Sequence, residues 1–336
     1  MHGSAPSLHA RASLILTTFP QVISFNDRVL LFEKLLEEEK RQVAPIRDEF
    51  SRALQVRIKR DNIVEESFDF FSQITEGQPS SILKSRMKVT FINEQGLEEA
   101  GIDGGGVFKE YVDQLTKAAF SPEFGFFLAT SEHLLYPNPS ARLIVDTPTE
   151  LYERFRFLGR VLGKAVYENI LVEPQFASFF LNKLLGKFNY IDDLHSLDPD
   201  LYKNLMHLKH YDGNVEDLAL TFSVTEHAMG QTFTHDLVQD GSTIPVTNEN
   251  RIRYIHLLAN FKLNVLSSRE SAAFLRGFRD LIPAKWIQMF SPSELQMLIG
   301  DPRAASTLSI GSDIRRTAVA ITHHNASSNG LGYRGE

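Results

Sequence analysis

The residue types most suggestive of chemistry stand in "AGIDGGGVFKEY", Ala100 to Tyr111, where an acid and three glycines precede an apolar-periodic helix. Glycine-rich loops at helix N-termini bind anions, because free N–H groups point outward there. A nucleotide site is therefore the first chemistry to test, and the spacing fails it. A P-loop needs Gly-x-x-x-x-Gly-Lys-Ser/Thr, whereas Lys109 is followed by Glu110 and is wrongly spaced. A dinucleotide fingerprint needs Gly-x-Gly-x-x-Gly, and Lys109 takes the third place after Gly104 and Gly106. What remains for Asp103, Gly104, Gly105 and Gly106 is a structural loop. The glycines permit positive φ and close backbone packing at the helix entrance, and Asp103 helps satisfy loop or helix amides.

Other catalytic constellations fare no better. His207 and His210 lie three apart on a helix, which could suit a metal, but no third ligand is near in sequence. The "THH" of Thr322 to His324 falls in an aperiodic tail. These read as surface histidines, and neither a metal nor a cofactor is expected. The sequence has no Gly-x-Ser-x-Gly elbow and no His-Glu-x-x-His zinc helix. It has no cysteine at all, which removes disulfides, thiolate metal sites and any cysteine nucleophile together.

Composition narrows the class further. At 336 residues, 43% hydrophobic and 23% charged, the chain reads as globular, with room for about two ordinary domains. A net charge of −7 argues against nucleic acid as the main partner. No apolar run approaches the roughly 20 residues of a membrane span. "SLILTTFPQVISF", Ser13 to Phe25, is broken by Thr17, Thr18, Pro20 and Gln21, so it reads as mature sequence rather than a signal peptide.

The elements that must position any site follow from periodicity and capping. Residues 1–25 read as poorly ordered. "NDRVLLFEKLLEEEKRQ" predicts a helix with Asn26 as cap and Val29, Phe32, Leu35 and Leu36 on its apolar side; its charge run is a solvated face. "LQVRIKR" and "SRMKVTFINE" alternate as half-buried strands on either side of a helix, "NIVEESFDFFSQI". Thr147-Pro148 with Glu150, Asp198-Pro199, Ser267 with Glu270 and Ser291-Pro292 with Glu294 mark four helix starts. Gly159 and Gly163, four apart on the first of these helices, predict that another element packs close against it. Between Thr221 and Val246, "LTFSV" and "FTHDLV" predict short strands, with "QDGS" as a turn. The fold class is α+β, mainly helical, with small sheets and one mixed α/β insert. From 301 to 336 the chain is rich in serine and threonine with a single aromatic, Tyr333, and cannot offset its ordering entropy; it is expected to be disordered.

Two helices have unusual faces. "DPDLYKNLMHLKHY" places Leu201, Leu205 and Leu208 on one stripe, with Tyr211 close to it. "NENRIRYIHLLANFKLN" is apolar on two sides: Ile252, Ile255 and Ala259 on one, Tyr254, Leu257 and Phe261 on the other. A helix apolar on two sides is either fully buried or bridges a core and a partner-binding groove. Pattern alone leaves both readings open.

Six stretches occur together and in order: "NEQGLEEAGIDGGGVFKEY", "LLYPNPSAR", "FLGRVLGKAVYENILVEPQFASFFLNKLLG", "SLDPDLYKNL", "YDGNVEDLALTF" and "IPVTNENRIRYIHL". They resemble the HECT family of ubiquitin-protein ligases, within it the E3B-like branch, from about residue 29 to 299. The resemblance implies a HECT N-lobe over residues 82–300, a large helical part with a small sheet, preceded by a helix-and-strand extension over 26–81. It implies a smaller mixed α/β subdomain at about 196–263 that docks the ubiquitin-conjugating enzyme (E2). The family's docking positions fall on Leu201, Asn204, Leu205, Leu208, Tyr211, Leu220 and Tyr254. Tyr254 stands where other members carry phenylalanine, which keeps a large ring and adds a hydroxyl. The glycine motif is structural in this family, in agreement with its spacing.

In the family a hinge and a C-lobe follow, carrying the cysteine that accepts ubiquitin as a thioester. Here "ELQMLIG" runs instead into "DPRAASTLSIGSDIRR", which reads as an out-of-frame or alternatively spliced ending. The implied partners are an E2 and ubiquitin, with an unknown protein substrate, no nucleic acid and no membrane, inside the cell and in the cytoplasm or nucleus. The rival expectation is a non-catalytic protein that sequesters E2. Serine and threonine cannot replace the missing thiolate, since an alkoxide is far less accessible near neutral pH. Incubated with ubiquitin-activating enzyme, E2, ubiquitin and ATP, this chain is predicted to form no adduct that a reductant removes. A reductant-sensitive band one ubiquitin heavier on a gel would contradict this.

Overall fold

A computed structural model describes residues 16, 18–50, 54–75, 80–93, 95–99 and 106–300, with the side chains of 43–50, 74, 75, 80 and 81 excepted. Asp103, Gly104, Gly105 and the tail from 301 onward lie outside the described residues, as does most of 1–17. Gly106 is the first residue of a helix.

The architecture is mainly helical α+β. The elements are α1 (Phe25–Phe50), β1 (Gln55–Lys59), α2 (Ile63–Thr75), β2 (Lys88–Ile92), α3 (Gly106–Ala119), β3 (Phe127–Ala129), β4 (Leu135–Pro137), α4 (Pro148–Tyr167), α5 (Ser178–Leu184), α6 (Pro199–Lys209), β5 (Ser223–Ala228), β6 (Gln231–Asp236), α7 (Arg251–Asn260), α8 (Ser268–Arg279), α9 (Ala284–Ile287) and α10 (Pro292–Gly300). Three two-stranded sheets accompany the helices: β1–β2 parallel, β3–β4 and β5–β6 antiparallel. In β1 the alternation puts Val56 and Ile58 inward, and α2 forms the crossover that the parallel pairing with β2 requires. No helix among the described residues is long and apolar enough to cross a membrane.

The centre is α4 packed on α8. Two backbones approach this closely only where side chains are missing. A Cβ added to Gly277 would lie 1.8 Å from the carbonyl oxygen of Arg156, and one at Gly159 would lie 2.0 Å from that of Phe274. The pair Gly159 and Gly163 thus marks a close helix crossing, as its spacing predicts. Around it Phe127 meets Phe120, Phe155, Phe176, Phe180 and Phe274 at ring separations of 5.1 to 6.3 Å. Arg160, buried on α4, donates to Asp280 just past α8 at 2.8 Å, which fixes how the two helices slide along each other.

The predicted caps divide. Thr147 Oγ1 accepts from the Glu150 amide at 3.1 Å, and Asp198 Oδ1 from the Leu201 amide at 2.9 Å. Ser291 and Glu294 form a reciprocal pair at 3.3 and 2.8 Å. At α1 the cap is Ser24, whose hydroxyl takes the Asp27 amide, and Asn26 is already inside the helix. Ser267 precedes α8 but offers it no side-chain cap; its hydroxyl instead lies 3.4 Å from the ammonium of the half-buried Lys183. "QDGS" is a turn as expected, with the Gly241 amide donating to the Val238 carbonyl at 3.0 Å, but it follows the hairpin and is not the hairpin's own turn. That turn is Met229-Gly230, with φ of 49° and 76°, both in the left-handed region that two-residue hairpin turns favour.

The glycine crossing yields a sign-reversing prediction. In an ordinary helix interior Gly→Ala stabilises by about 1 kcal/mol. At Gly277 the new methyl meets backbone, which cannot rotate away, so Gly277→Ala is expected to destabilise by about 1–3 kcal/mol or more. Urea unfolding of the parent and variant checks this; a variant at least as stable as the parent would refute it.

Candidate functional site

The family-implied docking positions all fall on one stretch, built from α6, the segment before β5, and α7. Asp198 caps α6 and Pro199 supplies its first residue, so the helix starts at a fixed point and its stripe faces a fixed way. Leu205 and Leu208 point inward and are buried, Leu205 at 3% exposure. Opposite them α7 contributes Tyr254, 6% exposed, with Ile255, Leu258 and Ala259 also buried. The ring of Tyr254 meets Phe222 edge-on at 5.6 Å, and burial raises the pKa of its phenol.

The accessible members sit above this floor. Asn204 is exposed, while Leu201, Tyr211 and Leu220 are half-buried. Leu220 is held by its carbonyl, which accepts from the Val246 amide at 2.8 Å, and it follows Ala219, whose φ is 50°. Tyr211 is held through its carbonyl, which Arg251 Nη1 reaches at 2.5 Å. The structure therefore brings the seven positions into one neighbourhood but at two depths: Leu205, Leu208 and Tyr254 form a packed floor, the other four a rim. The two-sided pattern of α7 resolves into one broad buried face, since Tyr254 and Ile255 are both inward and Ile252 is exposed. His207 and His210 are exposed on α6.

Sequence reasoning passed over two exposed apolar neighbours of this rim, Leu218 and Ile244. Their signal was available as large apolar residues at turns, where none is needed for packing. It also passed over a cleft of about 840 Å3 between the β5–β6 hairpin and the loop leading into α4. The hairpin has no buried residue on either strand. Three contacts tie it down: Arg142 rests over the Phe233 ring at 5.0 Å, His235 packs on Phe261 at 5.1 Å, and Glu226 pairs with Lys262. Phe261 opens a π-helical turn, Phe261–Val265, through which the chain leaves this region for α8. Asn264 in that turn donates to the Asn189 carbonyl at 2.9 Å and so anchors the exit to the main body.

Comparison with known proteins follows the same outline. The family model described as HECT-domain (ubiquitin-transferase) matches residues 113–321, running on past Gly300 where the sequence motifs end. The chain is 44% identical over 289 residues to E3 ubiquitin-protein ligase UPL6 of Arabidopsis thaliana, covering 86% of this chain and 27% of that protein. It is 41% identical over 302 residues to ubiquitin-protein ligase E3B of Homo sapiens, covering 88% and 28%. It is 35% identical over 315 residues to E3 ubiquitin-protein ligase HUL5 of Saccharomyces cerevisiae, covering 88% and 33%. The chain thus spans no more than about a third of the length of these relatives.

The two depths predict two phenotypes. Leu205→Ala empties a packed position and is expected to lower folding stability by about 2–5 kcal/mol. Asn204→Ala removes an exposed amide and is expected to change it by under about 0.5 kcal/mol. Chemical denaturation of both variants checks this, and equal losses would remove the distinction between floor and rim.

Proposed function

Since the chain belongs to the HECT-domain (ubiquitin-transferase) family, we propose that it acts as the E2-recruiting N-lobe of such a ligase. The reading is carried by the rim of Leu201, Asn204, Tyr211 and Leu220 standing accessible over a packed floor. A rigid floor under a few accessible apolar and amide groups suits capture of an apolar side chain from an E2 loop. Interface energy concentrates in a few such residues, surrounded by contacts that chiefly exclude water. On this reading Leu205, Leu208 and Tyr254 act by holding the rim in place as much as by touching E2. The E2-docking subdomain is residues 196–263, the N-lobe 82–300, and 26–81 an extension preceding it.

In the intact family the next step is transfer of ubiquitin from E2 to an E3 cysteine and then to a substrate lysine. This chain contains no cysteine, so recruitment is the part of that sequence its own residues can perform. The same absence favours a second reading, a non-catalytic binding protein that sequesters E2 and dampens a full-length ligase.

Calorimetric titration with a panel of E2s tests the proposal. Leu201→Ala and Leu220→Ala are expected to weaken binding by about 2 kcal/mol, well over tenfold, with melting temperature little changed. Binding to no E2, or unaltered affinity in both variants, would defeat it. Adding the chain to a full-length ligase separates the two readings: sequestration predicts inhibition that excess E2 relieves.

A further inference from the structure

Two tyrosines sunk to a similar depth are treated differently by the fold. Tyr111, 1% exposed on α3, donates its hydroxyl to Ser67 Oγ of α2 at 2.8 Å, so its oxygen is satisfied inside the core. Tyr254, 6% exposed on α7, makes no hydrogen bond through its hydroxyl among the described residues. That oxygen is not fully enclosed either, and so it still meets solvent at the edge of the floor. A buried phenol normally finds a partner for its polar tip, because an unpaired one costs free energy.

The direction of this hydroxyl is fixed by what surrounds the ring. Phe222 meets it edge-on, at 5.6 Å and an interplanar angle of 81°. Phe222 is itself 2% exposed and held at both ends of its backbone. Its amide donates to the Ile244 carbonyl at 3.1 Å, and its carbonyl accepts from the Leu237 amide at 2.8 Å. The other buried members of the floor, Leu205, Leu208, Ile255 and Leu258, have no side-chain acceptor to offer. Burial raises the pKa of the phenol, which keeps it protonated and a donor near neutral pH. Asn204, the other polar docking position, is exposed and can turn its amide to present either a donor or an acceptor. Tyr254 is therefore a pre-aimed donor in an apolar setting, and a group ordered before binding loses little freedom on binding.

We propose that the Tyr254 hydroxyl determines which E2s the rim accepts, by donating a hydrogen bond to a side-chain oxygen on the E2 loop. That oxygen belongs to a residue beside the apolar one that the rim receives, as a serine, threonine, asparagine, glutamine or carboxylate side chain. The inference rests on the E2-docking reading and adds to it a choice among E2s. An E2 whose loop places an alkyl group there covers the hydroxyl and takes away its water without replacing it. Leaving a covered polar group unpaired costs more than a satisfied hydrogen bond contributes. For the same reason, sites built around a hydrogen bond reject partners lacking it more strongly than apolar pockets reject a missing methylene.

Calorimetric titration of a panel of E2s against the full chain, Tyr254→Phe and Leu201→Ala tests it, with a melting temperature for each. Tyr254→Phe keeps the ring and removes one oxygen. It is expected to weaken E2s with an oxygen-bearing loop by about fivefold or more, and to leave those with alkyl loops unchanged or tighter, so the ranking shifts. Leu201→Ala is expected to weaken them all. On the E2 side, alanine at the oxygen-bearing loop residue is expected to weaken binding to the parent by about the same factor and to cost Tyr254→Phe little, the mark of a coupled pair. That E2 series needs no change to this chain, so its result with the parent stands even if Tyr254→Phe folds poorly. A merely structural role would lower the melting temperature and weaken every E2 alike. The proposal is overturned if Tyr254→Phe leaves the ranking unchanged, or if no loop oxygen couples to Tyr254. An unchanged ranking with Leu201→Ala still weakened would strike this inference and keep the docking reading; binding to no E2 would strike both.

Discussion

The close crossing of α4 and α8 is the constraint on which the rest depends. With glycine at 159 and 277, backbone meets backbone, and each helix becomes a fixed reference for the other. Everything functional hangs on this pair. The loop bearing Arg142 leads into α4, and the π-helical turn leaving α7 leads into α8. The first turns of both helices line the cleft, so the crossing sets how its two helical walls stand to each other. Arg160 and Asp280 add a polar lock to it, 2.8 Å apart with Arg160 buried, so losing the Asp280 carboxylate would remove a charge that offsets a buried guanidinium.

On the proposed reading, stability and recognition share residues in the α6–α7 region. Leu205, Leu208 and Tyr254 are buried in the core of that region and are at the same time among the positions proposed for docking. If the proposal holds, a substitution there lowers affinity by loosening the rim as well as by removing contact area. The rim carries less stability, because exposed and half-exposed side chains bury less apolar surface on folding.

Local signals were legible in the sequence, and tertiary ones were not. The caps at Thr147, Asp198 and Ser291 could be read because donor and acceptor lie within three residues of each other. Ser267 looked the same, yet its hydroxyl serves Lys183, 84 residues away. Likewise the hairpin turn was hidden because methionine at 229 is no turn former, while "QDGS" nearby has turn composition. The stripe of Leu201, Leu205 and Leu208 was legible from helical spacing, but its depth was not, since depth depends on Phe222 and α7 closing over it. The Gly159 and Gly163 spacing announced a close neighbour without saying which. The cleft left no trace in sequence, being assembled from segments more than a hundred residues apart.

The π-helical turn at Phe261–Val265 also acts as a phase adjuster. From Arg251 to Arg279 the chain runs almost without leaving helical form, so α7 and α8 would share one continuous angular register. A π turn accommodates one extra residue, and one residue is about 100° of rotation about the axis. That offset falls between Tyr254 and Ile255, buried in α7, and Phe274 and Gly277, which meet α4 backbone at the crossing. Loss or gain of a single residue within the turn would leave both helices and their hydrogen bonds possible, yet swing the rim and hairpin around the main body. Length, rather than side-chain identity, is what this segment holds constant.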